Sequence, residues 1–113
     1  MIVRVYRARA VPGRETEVAT ALRETTPLIR AAEGCLRAEA GRRLVERTEE
    51  FVVMSLWRDL GAIAAFGDGI VEEPFFRDRL IGLITGGLVE HFEGIETPAT
   101  RPGRASGAGN ASS

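Results

Sequence analysis

Three side chains set the acid–base chemistry open to this chain. His91 is the only histidine, and the only side chain whose ordinary pKa lies near neutrality. As a general base it would take a proton from an acidic hydroxyl or an activated methylene; the plainer role is a solvated or interface histidine. Arg4 sits on the row Ile2, Arg4, Tyr6, Ala8, Ala10, which period-two alternation sets apart from Val3, Val5, Arg7 and Arg9. A guanidinium on an otherwise core-facing row is costly if left unpaired. It would hold a phenolate, enolate or carboxylate through charge-assisted hydrogen bonds, or else pair with a structural carboxylate or escape at the strand end. Tyr6, the only tyrosine, would donate a hydrogen bond to a substrate oxygen, or pack with its hydroxyl satisfied. Phe66, Phe75 and Phe76 would line an aromatic pocket, with core packing the default at helical spacing.

Composition closes off other chemistries. All 15 basic residues are arginine, which leaves no lysine for a Schiff base or for pyridoxal phosphate. One cysteine, Cys35, and one histidine cannot build a Cys/His zinc site or a disulfide framework. Cys35 has no nearby His or Lys to activate it, and is expected to be inert. No Gly-x-Ser-x-Gly elbow exists to carry a triad serine. A net charge of −1 offers no electrostatic case for nucleic acid or an anionic membrane. The opening MIVRVYRARA is too charged for a signal peptide, and no 18-residue apolar run offers a membrane span. A cytoplasmic protein without metal or cofactor is the expectation.

These residues need elements to position them. IVRVYRARA, 2–10, reads as a first strand ended by Pro12-Gly13. Residues 14–33 repeat apolar positions at helical spacing through Val18, Ala21, Leu22, Leu28, Ile29 and Ala32, and Gly34 ends that helix. Pro27 conflicts with an unbroken helix, so a kink is expected, or a restart with Thr26 as cap and Pro27 in first position. Cys35 to about Leu44 reads as a second strand and FVVMSLW, 51–57, as a third. Asp59 caps a short helix, Leu60 to Phe66, which Gly67 closes. Glu72-Glu73-Pro74 predicts a further helix with Phe76, Leu80, Leu83 and Ile84 on one stripe, since acids and proline suit a helix start. After Gly86-Gly87, LVEHFEGIE is the fourth strand. The order is β-α-β-β-α-β: an α+β, ferredoxin-like plan with a four-stranded antiparallel sheet and helices on one face.

Residues 97–113 contain no Val, Ile, Leu, Met or aromatic side chain and predict a disordered tail. The folded unit is then residues 1–96, which hold all 16 acids and 13 of the arginines, a net −3. The third strand is apolar on both faces except at Ser55, and Val3 and Val5 oppose Ile2 and Tyr6 on the first. Helices on one side would leave an apolar sheet face uncovered, a patch soluble monomers rarely carry. A homodimer packed sheet to sheet is the expectation.

Val-Pro-Gly-Arg-Glu at 11–15, Glu-Gly-Cys-Leu at 33–36 and Phe-Val-Val-Met-Ser-Leu-Trp-Arg-Asp at 51–59, in that order and spacing, resemble the antibiotic biosynthesis monooxygenase family. The likeness covers roughly residues 1–95, and implies a dimeric α/β barrel with a small-molecule pocket between sheet and helices. It also implies cofactor-independent oxygenation: an electron-rich phenol, anthrone or quinol is deprotonated and its anion passes an electron to O2. His91, Arg4 and Tyr6 are then the catalytic candidates. Trp57, which resembles the family's strand-end tryptophan, joins Phe66 and Phe76 as candidates against the substrate. Similar domains also include polyketide cyclases and isomerases, so a cyclase or isomerase of the same fold, or a non-catalytic binding dimer, is the alternative. A haem-degrading member would need Asn, Trp and His where this chain has Tyr6, Phe66 and, loosely, Leu80, so that branch is not expected.

Overall fold

The computed structural model describes residues 1–95; the expected tail, 97–113, lies outside the described residues. The elements run β1 (Ile2–Ala10), α1 (Glu15–Arg30), β2 (Cys35–Arg42), β3 (Glu50–Trp57), α2 (Leu60–Phe66) and β4 (Ile84–Glu93). The strands form one antiparallel sheet in the order β2-β3-β1-β4. This is the ferredoxin-like α+β plan.

Alternation in the central pair decides which side chains go inside. Arg4, Tyr6, Ala8 and Ala10 of β1, and Phe51, Val53, Ser55 and Trp57 of β3, are buried beneath the helices. Helix α1 lays Val18, Ala21, Leu22, Thr25 and Ile29 on this layer, the stripe its spacing demands. Short helix α2 starts where the Asp59 carboxylate accepts the Ala62 amide at 2.9 Å and stops at Gly67, and it buries Ala62 and Ile63. At Gly34, whose φ is +85°, an added Cβ would stand 2.5 Å from Ala62 Cβ, so glycine lets the chain pass α2 at close range. The opposite sheet face carries Val3, Val5, Val52, Met54 and Leu56, half-buried among themselves, with Leu88 and Phe92 exposed beside them.

Three expectations need correction. Helix α1 passes through Pro27 without a restart, and the Thr26 hydroxyl caps nothing, being buried with no partner. Pro27 falls in the last turn, where few hydrogen bonds remain to be broken, and the packed stripe ending at Ile29 holds the turn in place. The helix expected from Glu72-Glu73-Pro74 does not form; only a 3-10 turn, Arg77–Arg79, interrupts an irregular segment. A helix opening there would need the Glu73 carbonyl for its first bonds, but the Arg4 guanidinium takes that carbonyl at 2.6 Å. Phe76 then adopts a left-handed backbone, φ 58°, which no α-helix tolerates. Finally, β4 begins at Ile84 and includes Gly86-Gly87, with a register shift opposite Ala8 and Arg9.

Candidate active site

The sheet register assembles the polar centre. Arg4 of β1 lies opposite Ser55 of β3 on one side and His91 of β4 on the other, so all three share the interior face. The guanidinium is 2 % exposed. It donates to the Val71 carbonyl (2.9 Å), the Glu73 carbonyl (2.6 Å) and His91 Nε2 (2.9 Å), with its carbon 4.0 Å from the centroid of the Phe75 ring. Among the described residues Arg4 finds no carboxylate, and it does not escape at the strand end. Burial without a counter-charge lowers its pKa to about 10, so it stays cationic at neutral pH.

A guanidinium can only donate, so His91 Nε2 is the acceptor and the neutral ring carries its proton on Nδ1. Burial, reinforced by the Arg4 charge, pushes the His91 pKa down, with the Glu72 carboxylate pulling the other way. The sole lone pair of the ring is therefore engaged by Arg4. For His91 to act as a base, that bond must open.

Tyr6 stands one interior position along β1, between Val53 and Val89 in the register. Its ring is buried and its hydroxyl has no hydrogen-bond partner among the described residues. Burial raises its pKa to about 12, keeping it a donor under ordinary conditions. It forms part of the floor of a cleft of about 410 Å³, whose apolar walls include Leu80, Ile81, Ile84 and Val89, with Glu72 and Arg77 also lining it. Behind the ring, a void of about 20 Å³ lies between Tyr6, Arg4, Ser55, Thr25 and Phe75. The space between sheet and α1 is thus nearly closed, and the roomy cleft opens on the β4 side.

Gly87 explains how Tyr6 lies flat. A Cβ at Gly87 would meet Tyr6 Cε1 at 3.1 Å and its hydroxyl at 3.2 Å. By sequence the fourth strand starts after Gly86-Gly87; a glycine within a strand is a mark of close approach, and that was the available signal. Nothing in the sequence pointed to the Val71 and Glu73 carbonyls, since every residue supplies one.

The aromatic candidates part company. Trp57 is fully buried, donates to Ser55 Oγ at 2.8 Å, and packs against Phe66 and Phe75 with centroids 5.9 and 5.6 Å away. It supports the site from within the core and faces no cleft. Phe66 and Phe76, 5.8 Å apart, line a separate open hollow of about 450 Å³ with Pro74 and Arg79. Phe75 is the ring that reaches Arg4. Among the described residues no three His, Cys, Asp or Glu side chains gather as a metal-ligand set, and no helix is long and apolar enough to cross a membrane.

Residues 1–69 match the family model described as antibiotic biosynthesis monooxygenase. The chain belongs to this family. The match spans β1 through α2, so within the family domain it includes Arg4, Tyr6, Trp57 and Phe66 and stops short of Phe76 and His91. No curated protein matches the chain. Solved structures do. A candidate antibiotic biosynthesis monooxygenase from Deinococcus radiodurans superposes with a TM-score of 0.74 at 18% identity, over 89% of this chain and 99% of that one. PA3566 from Pseudomonas aeruginosa gives 0.70 at 20% identity, over 84% and 94%. A mutant of SnoaB, a cofactor-independent oxygenase from Streptomyces nogalater, gives 0.67 at 18% identity, over 85% and 94%. At such identities the likeness is one of fold.

Proposed function

We propose that this chain is a cofactor-independent monooxygenase that oxidises a small phenol, anthrone or quinol with O2. One observation carries the reading: Tyr6, with an unpartnered hydroxyl, lines a cleft beside Leu80, Ile81, Ile84 and Val89, two residues along β1 from a buried cation that meets no carboxylate among the described residues. Family membership supports it.

The ring of the substrate fills the cleft and its oxygen accepts from Tyr6. The substrate hydroxyl gives its proton to His91 Nε2 as the Arg4 guanidinium turns from that nitrogen towards the oxygen, so that the proton has an acceptor and the developing anion is stabilised by Tyr6 and Arg4 in one step. The electron-rich anion then reduces O2. For an anthrone, the CH2 carbon becomes a carbonyl: one oxygen atom stays on carbon, the other leaves as water, and O2 is the sole oxidant. Oxygen uptake with a naphthol, anthrone and quinol panel tests the activity, using Tyr6→Phe, Arg4→Ala and His91→Ala as site variants. Uptake no faster than in buffer across the panel sinks the reading, and so does undiminished turnover in all three variants. Turnover without oxygen uptake would favour a cyclase or isomerase.

The working form is a homodimer closed over Val3, Val5, Val52, Met54 and Leu56, because this apolar face otherwise lies open to water. Leu56→Asp buries a charge in such an interface and is expected to halve the mass measured by light scattering at micromolar protein. A parent protein that is already monomeric there would refute the dimer.

A further inference from the structure

Pro27 lies outside the Tyr6 cleft and lines a second groove. A groove of about 390 Å³ runs between α1 and the β2–β3 edge, with Arg23, Thr26, Pro27 and Arg30 on one wall and Gly41 and Phe51 among those on the other. Three features of this wall are unspent. Thr25 returns its hydroxyl to the Ala21 carbonyl at 2.8 Å, as helical threonines do, whereas Thr26, 5 % exposed, leaves its hydroxyl without a partner. Pro27 has no N–H, so the Arg23 carbonyl, one turn earlier, loses its intrahelical donor. Among the described residues the Arg23 guanidinium lies within ion-pair distance of no carboxylate, while neighbouring Arg30 is engaged by the Ala38 carbonyl (2.8 Å) and Glu39 (3.7 Å). Arg23, Thr26 and Pro27 therefore share one groove, with Arg30 already held by Glu39, a carboxylate that also lines it, and with the Phe51 ring in the opposite wall.

We propose that this groove binds a flat hydroxyaryl carboxylate, at a site distinct from the Tyr6 cleft and independent of the oxygenase reading. The carboxylate pairs with Arg23 and accepts from Thr26, the ligand hydroxyl donates to the Arg23 carbonyl, and the ring lies against Leu22 and Phe51. The proline keeps the carbonyl available that an ordinary helix residue would cover.

The test titrates the full chain with 3-hydroxy-2-naphthoate, and with 2-naphthol as the probe lacking the carboxylate, by calorimetry and amide chemical shifts. The naphthoate is expected to shift the Ala19, Ala40 and Gly41 amides and to bind about tenfold more tightly than 2-naphthol. Arg23→Gln, at an exposed position, should weaken it about tenfold. Pro27→Ala should raise the melting temperature yet weaken binding severalfold, because the restored N–H covers the carbonyl. Tyr6→Phe should leave this affinity unchanged. The proposal is overturned if those amides stay still at millimolar naphthoate, if the shifts map to Tyr6, Leu80 and Val89 instead, or if Arg23→Gln or Pro27→Ala binds as tightly as the parent.

Discussion

Replacing Arg4 by methionine isolates the pin that holds residues 71–75 to the sheet. Methionine keeps much of the volume and removes every donor. Three hydrogen bonds disappear, to Val71, Glu73 and His91, together with the stacking on Phe75. Bonds to a charged group contribute about 1.5–3 kcal/mol each, so the three together are worth about 4.5–9 kcal/mol. Against this stands the desolvation of a buried guanidinium, a cost of several kcal/mol that methionine does not incur. The half-buried Val71 and exposed Glu73 can also recover water. A net loss of about 2 kcal/mol is expected, which for a domain this size lowers Tm by roughly 8–16 °C. The loss should be local in origin: amide exchange across 71–80 accelerates roughly thirtyfold while the centre of β3 is far less affected. The His91 pKa should rise as the neighbouring charge goes, seen in its ring proton titration. Arg4→Lys sharpens the case, since an ammonium keeps the charge but cannot bridge three partners held by a planar fork. It should leave the His91 pKa low while failing to restore protection at 71–80. Unchanged Tm and unchanged exchange in Arg4→Met would refute the pinning role.

Other outcomes follow from the same geometry. Because His91 titrates below its ordinary value, the folded state binds that proton less readily than the unfolded chain does. Its contribution to stability is full above a pH of about 6.5 and is lost as pH falls through the window below; His91→Gln should flatten that limb of urea midpoints plotted against pH. Gly87→Ala drives a methyl into Tyr6 at 3.1 Å and should cost about 1–3 kcal/mol, with Tyr6→Phe relieving part of it in a double-mutant cycle. Tyr6→Phe alone should leave thermal stability equal or higher, because it removes a buried hydroxyl that has no partner; a loss above about 1 kcal/mol would mean the hydroxyl is satisfied after all. Gly34→Ala meets Ala62 at 2.5 Å in a left-handed backbone and should lower the urea midpoint by about 2 kcal/mol of stability; Ala62→Gly in the same chain should recover the steric part only.

The elements easiest to foresee were those whose signals are local. Strand alternation in 2–10 placed Arg4 and Tyr6 inside, and the Asp59 cap and the Gly67 stop bounded α2. The segment after Gly67 misled because its start signals, two acids and a proline, are also local, while the bonds that hold its irregular path come from Arg4, about 70 residues away. Trp57 was foreseeable as a core or pocket-wall aromatic, but the choice between the two depends on Phe66 and Phe75 arriving from other parts of the chain. By sequence Gly87 falls outside the fourth strand, because its reason for being glycine is the Tyr6 ring on the neighbouring strand.

Sequence alone determined the alternation that sorts the two sheet faces, the family, and the exclusion of lysine chemistry. These depend on residue type and on spacing within a dozen positions, where backbone geometry is the only intermediary. Tertiary structure decided which polar groups meet: that Arg4 is held by two carbonyls and His91 rather than by a carboxylate, that His91 presents Nε2 to a cation, and that the Tyr6 and Thr26 hydroxyls are left free. Each of those outcomes is a cross-strand register or a packing distance, and a hydrogen bond exists only where the fold brings donor and acceptor within about 3 Å.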